Sequence, residues 1–244
     1  MSLSTARIAA IVRKELRDYR RNRFVVSSMA VLPVIFVALP TAVILALPAG
    51  VTSDAVNARI GLSLLYLLVV PAIIPASLAA YSVVGEREQG TLEPVLTTPV
   101  RREEILLGKA LAALMPTLAM AYAIYGIFLA LAAAFAQPGV RSAVFAGSHL
   151  LVQLAFTPLL AGWSIWVGIA ISTRASDVRA AQQLSILASL PLLAVTSLMS
   201  FGVIHPTLAI TLGLAAAVAA IDGVAWRIVS AMFDRERLVT GIRS

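Results

Sequence analysis

The sequence predicts an all-α integral membrane protein with six transmembrane helices, an N-terminal amphipathic interfacial helix and a short cytoplasmic helix between the second and third crossings. Three observations carry that prediction. Apolar residues make up 60% of the 244 and charged residues only 13%, against roughly 25% charged in a soluble domain, so lipid is the solvent for the excess. Five long stretches are nearly free of Asp, Glu, Lys and Arg. The basic residues between them alternate from dense to sparse.

The charge-poor stretches are residues 24–58 (apart from Asp54), 60–85, 110–140, 142–173 and 180–221. Each exceeds the ~20 residues that carry a helix through about 30 Å of hydrocarbon. The last would make a helix of roughly 63 Å at ~1.5 Å per residue, too long for one crossing. His205 and Pro206, with Gly202 before them, break it near the middle. Six crossings follow, near 24–47, 60–84, 108–136, 144–172, 181–204 and 207–229. With the N-terminus inside, 17 of the 19 Lys and Arg fall in cytoplasmic segments, and only Arg59 and Arg141 lie outside. The positive-inside rule predicts that asymmetry, and shifting one helix destroys it. The net charge of +7 therefore reports topology, not a nucleic-acid partner. Both termini are expected in the cytoplasm, with the chain a single transmembrane domain over 1–244. The first apolar run is too long for the 7–15 residues of a signal core, and without cysteine there is no disulfide or thiol chemistry.

Residues 6–23 read as the interfacial helix. Ile8, Ile11, Val12, Leu16 and Tyr19 share one face, with Arg13, Lys14, Arg17, Arg20 and Arg21 elsewhere. Such a helix rests in the headgroup layer with its cations over anionic membrane lipids. Glu15 falls on the apolar stripe, where it either takes a cation from another segment or snorkels to solvent.

The segment 85–107 and its continuation to Lys109 read GEREQGTLEPVLTTPVRREEILLGK. Gly85 can end the second helix. Thr91 can cap a short helix over 92–97, with Pro94 in its first turn. Thr98 and Pro99 then restart a helix that continues into the membrane. Leu92, Val95 and Leu96 share a face at i, i+3, i+4 that suits a groove in another protein. Glu86, Arg87, Glu88 and Glu93 form a charged rim that sets register. The alternative is packing on neighbouring loops.

This run resembles the motif that joins the second and third helices of type-2 ATP-binding-cassette exporter permeases. It matches at Gly85, Glu86, Arg87, Glu88, Gly90, Thr91, Leu92, Glu93, Thr98, Pro99, Arg102, Glu104, Ile105, Gly108 and Lys109. The runs RKEL at 13–16 and FDRERL at 233–238, in the tail 230–244, are also similar to that family's ends. The resemblance implies that the short helix is a coupling helix docking on a separate nucleotide-binding subunit. It implies two ATPase subunits carrying ATP and Mg, and a second permease copy, with a homodimer the default. It further implies a prokaryotic plasma (inner) membrane location and a path between the permeases. Relatives with large external re-entrant helices carry a long segment between the last two crossings; here only His205, Pro206 and their neighbours occupy it.

No phosphate-binding loop is present: Gly108, Lys109 and Ala110 are similar to the end of one, but the first Gly and the Mg²⁺-binding hydroxyl are missing. His149 and His205 have no partner at ligand or triad spacing, so no catalytic residue, metal site or cofactor is assigned to this chain. In the fifth crossing Gln182, Ser185, Ser189, Thr196 and Ser200 form a polar stripe, read either as glue between helices or as the wall of a substrate path. Its lack of charge favours an amphiphile or drug as cargo. Prolines 33, 40, 71 and 75 favour bends in the first two crossings. Asp222 is the lone intramembrane charge, which argues against proton or sodium coupling. The leading reading is the membrane subunit of an ATP-driven exporter. The alternatives are an ion-gradient-driven secondary transporter or channel, and a scaffold that recruits a cytoplasmic protein.

Overall fold

The computed structural model describes residues 3–48, 53–88, 100–175, 177–204 and 207–232, and among these the chain forms eight helices. They are α1 (Thr5–Arg21), α2 (Arg23–Leu45), α3 (Ser53–Glu88), α4 (Arg102–Phe135), α5 (Pro138–Val144), α6 (Gly147–Ser172), α7 (Val178–Ser200) and α8 (Leu208–Met232). Five of them, α3, α4, α6, α7 and α8, are long and apolar enough to cross a membrane. The helix α2 has 23 residues and carries a shorter apolar stretch over Val34–Leu45.

Local chemistry sets several boundaries. Glu104 accepts a hydrogen bond from the Arg101 N–H at 3.1 Å, half of a capping box at the start of α4. Glu103 and Glu104 also place negative charge at that positive helix end. Asp177 caps α7 by accepting from the Ala180 N–H at 2.9 Å. The long stretch 180–221 is indeed divided, with α7 ending at Ser200 and α8 starting at Leu208. Gly202 takes a left-handed φ of 72° between them, a conformation glycine adopts without a Cβ penalty. His205 and Pro206 lie outside the described residues.

Two boundaries differ from the sequence expectation. Gly85 does not end the second helix; α3 continues to Glu88 because Glu86 is engaged by cations from two other helices, described below. The third long helix begins at Arg102, not at Thr98 and Pro99, and both of those lie outside the described residues. The short α5 was missed, although Pro138 at its first turn is a readable start signal.

α3 is the central post, packing on α2, α4, α6 and α7. Small residues let the backbones approach closely. A Cβ on Gly168 of α6 would lie 2.9 Å from the Ala79 Cβ and 3.0 Å from the Ala76 carbonyl oxygen of α3. Ser63 of α3 donates to the Pro40 carbonyl of α2 at 3.1 Å, which ties the first two long helices. Gly61 abuts Ser200, and Val84 clusters with Ala181, so α3 and α7 run antiparallel. α8 packs mainly on α6, where Trp166 and Trp226 meet edge to face at 5.0 Å. Pro71 and Pro75 sit inside α3 as one uninterrupted helix.

Candidate functional site

The chemistry concentrates where α1, the end of α3 and the start of α4 meet. The spacing of Ile11, Val12, Leu16 and Tyr19 gives α1 an apolar face, and that face packs on the protein's own core. Gly108 makes the fit possible. A Cβ there would lie 2.5 Å from the Ile11 Cγ2 and 2.7 Å from its Cβ, and a β-branched side chain cannot swing aside cheaply.

Lys109 is almost wholly buried, with 2% of its surface exposed. Its ammonium donates to Glu15 Oε1 of α1 at 2.8 Å, to Glu86 Oε2 of α3 at 2.8 Å and to the Ser82 carbonyl at 2.7 Å. All three N–H groups are thereby used. Lys14 approaches the same carboxylates from the more open side, donating to Glu86 Oε1 and, at 3.4 Å, to Glu15 Oε1; Asp18 lies 3.7 Å away. Of the two settings the sequence left open for Glu15, the structure shows the cation from another segment, and Lys109 is that cation.

The electrostatics follow from this packing. Burial works against the charge of Lys14, but Glu15, Glu86 and Asp18 overcome it and raise its pKa above the usual lysine value. Burial, aided by the Glu15 and Glu86 charges, pushes the Tyr19 phenol well above its ordinary range. One helical turn before Gly108, Glu104 makes a bidentate pair with Arg7, from Nε to Oε2 and from Nη2 to Oε1, both at 2.7 Å. The Ser4 N–H adds a bond of 2.8 Å to the same carboxylate. A cleft of about 270 Å³ lies beside these groups, lined by Arg7, Ile11, Lys14, Val100, Ile105 and Lys109 among others.

Both described ends of the loop that joins α3 to α4 are therefore fastened to one helix. Glu86 holds the α3 end; Glu104 and Lys109 hold the α4 end. Arg87 and Glu88 fall in the last turn of α3. Gly90, Thr91, Leu92, Glu93, Val95, Leu96, Thr98 and Pro99 lie outside the described residues, as does the run at 233–238. Arg13 is exposed, whereas Lys14 and Glu15 belong to the cluster. Sequence reasoning missed Lys109 as the hub, and also the Arg7–Glu104 pair. The i, i+4 and i+5 spacing of Glu104, Gly108 and Lys109 at a helix start was the available signal.

The polar stripe of α7 takes a different setting. Ser185, Ser189, Thr196 and Ser200 are buried inside the bundle. Their hydroxyls donate to Ala181, Ser185, Leu193 and Thr196 carbonyls of their own helix, at 2.6, 2.9, 2.9 and 3.5 Å. Gln182 is half-buried. His149 Nδ1 lies 2.9 Å from the Ala143 carbonyl at the corner between α5 and α6. Asp222 faces Gly162 of α6, whose Cβ, if present, would lie 3.0 Å from Oδ2; its Oδ1 is buried without a hydrogen-bond partner among the described residues.

A comparison with protein-family models matches residues 9–219 to the ABC-2 family transporter protein model. No curated protein matches the chain. The match covers most of the sequence and includes α1 from Ala9 onward, the charge cluster and all of the loop between α3 and α4.

Proposed function

The chain belongs to the ABC-2 family of transporter permeases, a multi-pass membrane transport subunit that is not itself catalytic, and from that premise we propose that it serves an ATP-driven exporter. In this reading α2 completes six crossings and both termini are cytoplasmic, in a prokaryotic plasma membrane. The segment 85–107 is the coupling segment: Leu92, Val95 and Leu96 of a short helix over 92–97 enter a cleft of a separate ATPase subunit, and Glu86, Arg87, Glu88 and Glu93 rim it. Two ATPase subunits, which hold ATP and Mg, serve two permease copies. Cargo, an amphiphile or drug, passes between the two permease copies, beside the α7 stripe.

The observation that carries this reading is the fastening of both loop ends to α1 by ion pairs, Lys14–Glu86 at the α3 end and Arg7–Glu104 and Lys109–Glu15 at the α4 end. A loop that merely connected two helices would not need a fully buried lysine at its base. A loop that receives force does, because the displacement must reach the helices and not dissipate in the link. The Lys109 ammonium spends its three N–H groups on Glu15, Glu86 and the Ser82 carbonyl, and in this reading its role is mechanical.

The test is co-expression with a candidate ATP-binding-cassette ATPase subunit, purification in detergent and assay of hydrolysis. A stable complex is expected. Leu92→Asp should weaken it by about tenfold or more, since an apolar docking face buries an unpaired carboxylate poorly. Unchanged association and coupled hydrolysis in that variant would refute the coupling role. Transport that needs no ATPase and responds to an ion gradient would point to the secondary-transporter alternative. Reporter fusions at Val140 and Gly90 check the topology; a cytoplasmic Val140 overturns it.

A further inference from the structure

Seven cations precede the first apolar run: Arg7, Arg13, Lys14, Arg17, Arg20, Arg21 and Arg23. The protein uses two of them internally. Arg7 is committed to Glu104, and Lys14 to Glu15, Glu86 and Asp18. The other five are exposed and make no ion pair among the described residues. Arg13, Arg17, Arg20 and Arg21 recur at i, i+4, i+7 and i+8, which gathers them within about 100° of the helix circumference. Glu15 and Tyr19, both buried, occupy the opposite side.

This arrangement revises the picture of an amphipathic helix with its apolar side in lipid. The apolar side of α1 is already covered by protein. What remains outward is guanidinium charge, with no large apolar residue exposed within Thr5–Arg21 to anchor a protein partner. Arg20, Arg21 and Arg23 stand at the junction with α2, so a headgroup layer adjoins them wherever other subunits sit. Guanidinium groups in a row, bidentate towards phosphate and free of internal partners, match phosphodiester anions.

We infer that the Arg13, Arg17, Arg20 and Arg21 stripe binds anionic phospholipid headgroups of the leaflet at the α1 end, by charge alone. Because the same helix holds Glu86 through Lys14, Glu104 through Arg7 and Lys109 through Glu15, bound lipid steadies the base of the α3–α4 loop. The inference rests on α2 crossing the membrane, as in the six-span topology proposed above, and not on the exporter reading.

The experiment uses the full chain in mild detergent, offered phosphatidylglycerol and phosphatidylcholine in equal amounts, with retained lipid counted by native mass spectrometry. Wild type is expected to retain phosphatidylglycerol about tenfold over phosphatidylcholine, and high salt should erase the preference. Arg13→Gln/Arg17→Gln/Arg20→Gln/Arg21→Gln should retain both lipids about equally while its thermal unfolding in phosphatidylcholine nanodiscs matches wild type. If that variant does not fold, Arg17→Gln and a salt titration of wild type decide the matter through the same ratio. Equal retention by wild type overturns the inference. So does a preference that survives the four substitutions, or amide protection of the stripe that arises only when an ATPase subunit is added.

Discussion

Lys109→Met removes the hub of the cluster while keeping a long side chain in place. In the wild-type protein two lysines face two glutamates. Without Lys109, Glu15 and Glu86, whose side chains are 4% and 10% exposed, share only Lys14, whose own side chain is 43% exposed. Removing one partner of a buried ion pair costs about 3–5 kcal/mol, because the remaining charge is left unpaired. At ~1.4 kcal/mol per factor of ten, the opening of α1 from the bundle should become about a hundredfold to a few thousandfold more frequent. Amide hydrogen exchange in detergent reads this directly, as lost protection over Thr5–Arg21 with the centres of α6 and α8 unchanged. The companion Lys109→Met/Glu15→Gln restores one lysine to one glutamate and should regain most of the protection, since neutral replacement of a buried pair is close to neutral in energy. Two results refute the reasoning: protection in Lys109→Met within threefold of wild type, or a double variant no better than the single one.

Further outcomes follow from the same geometry. Lys14 has its pKa raised above 10.5 and Tyr19 above 10.0. In both cases the folded state keeps protons that the unfolded state releases, so their contribution is complete below about pH 10 and is lost as pH rises further; exchange of α1 amides, corrected for intrinsic rates, should stay flat from pH 7 to about 9 and quicken above 10. Gly168→Val meets backbone and a Cβ at 3.0 and 2.9 Å, so it should destabilise the α3–α6 contact by about 1–3 kcal/mol. Gly126→Ala meets nothing within 4 Å and should stabilise α4 by up to about 1 kcal/mol. Thermal unfolding of both variants in one detergent gives the ordering.

Much of the helical scaffold was readable because lipid imposes it. Where 42 charge-free residues exceed one crossing, a break is compulsory, and Gly202 shows where the chain turns. Pairings between distant segments were less readable. Glu15 on an apolar stripe announced that a cation was missing, but nothing local named Lys109, 94 residues away. Gly85 was read as a helix stop from its own propensity, whereas the salt links of Glu86 keep α3 helical for another turn. The serines of α7 fall on one face as their spacing requires. Periodicity cannot say whether such a face meets water or a neighbour, and here it meets the interior of the bundle.

One ammonium group shared by three helices has a kinematic result. At that end of the molecule Lys109 of α4 is joined to both α3 and α1, so a tilt of any one of the three strains its bonds to the other two. At their far ends no comparable ionic rivet joins the two among the described residues. There apolar packing takes over, with Ile60 and Leu64 of α3 and Phe128 and Ala132 of α4 buried in one cluster, so the seam is ionic at one end and apolar at the other.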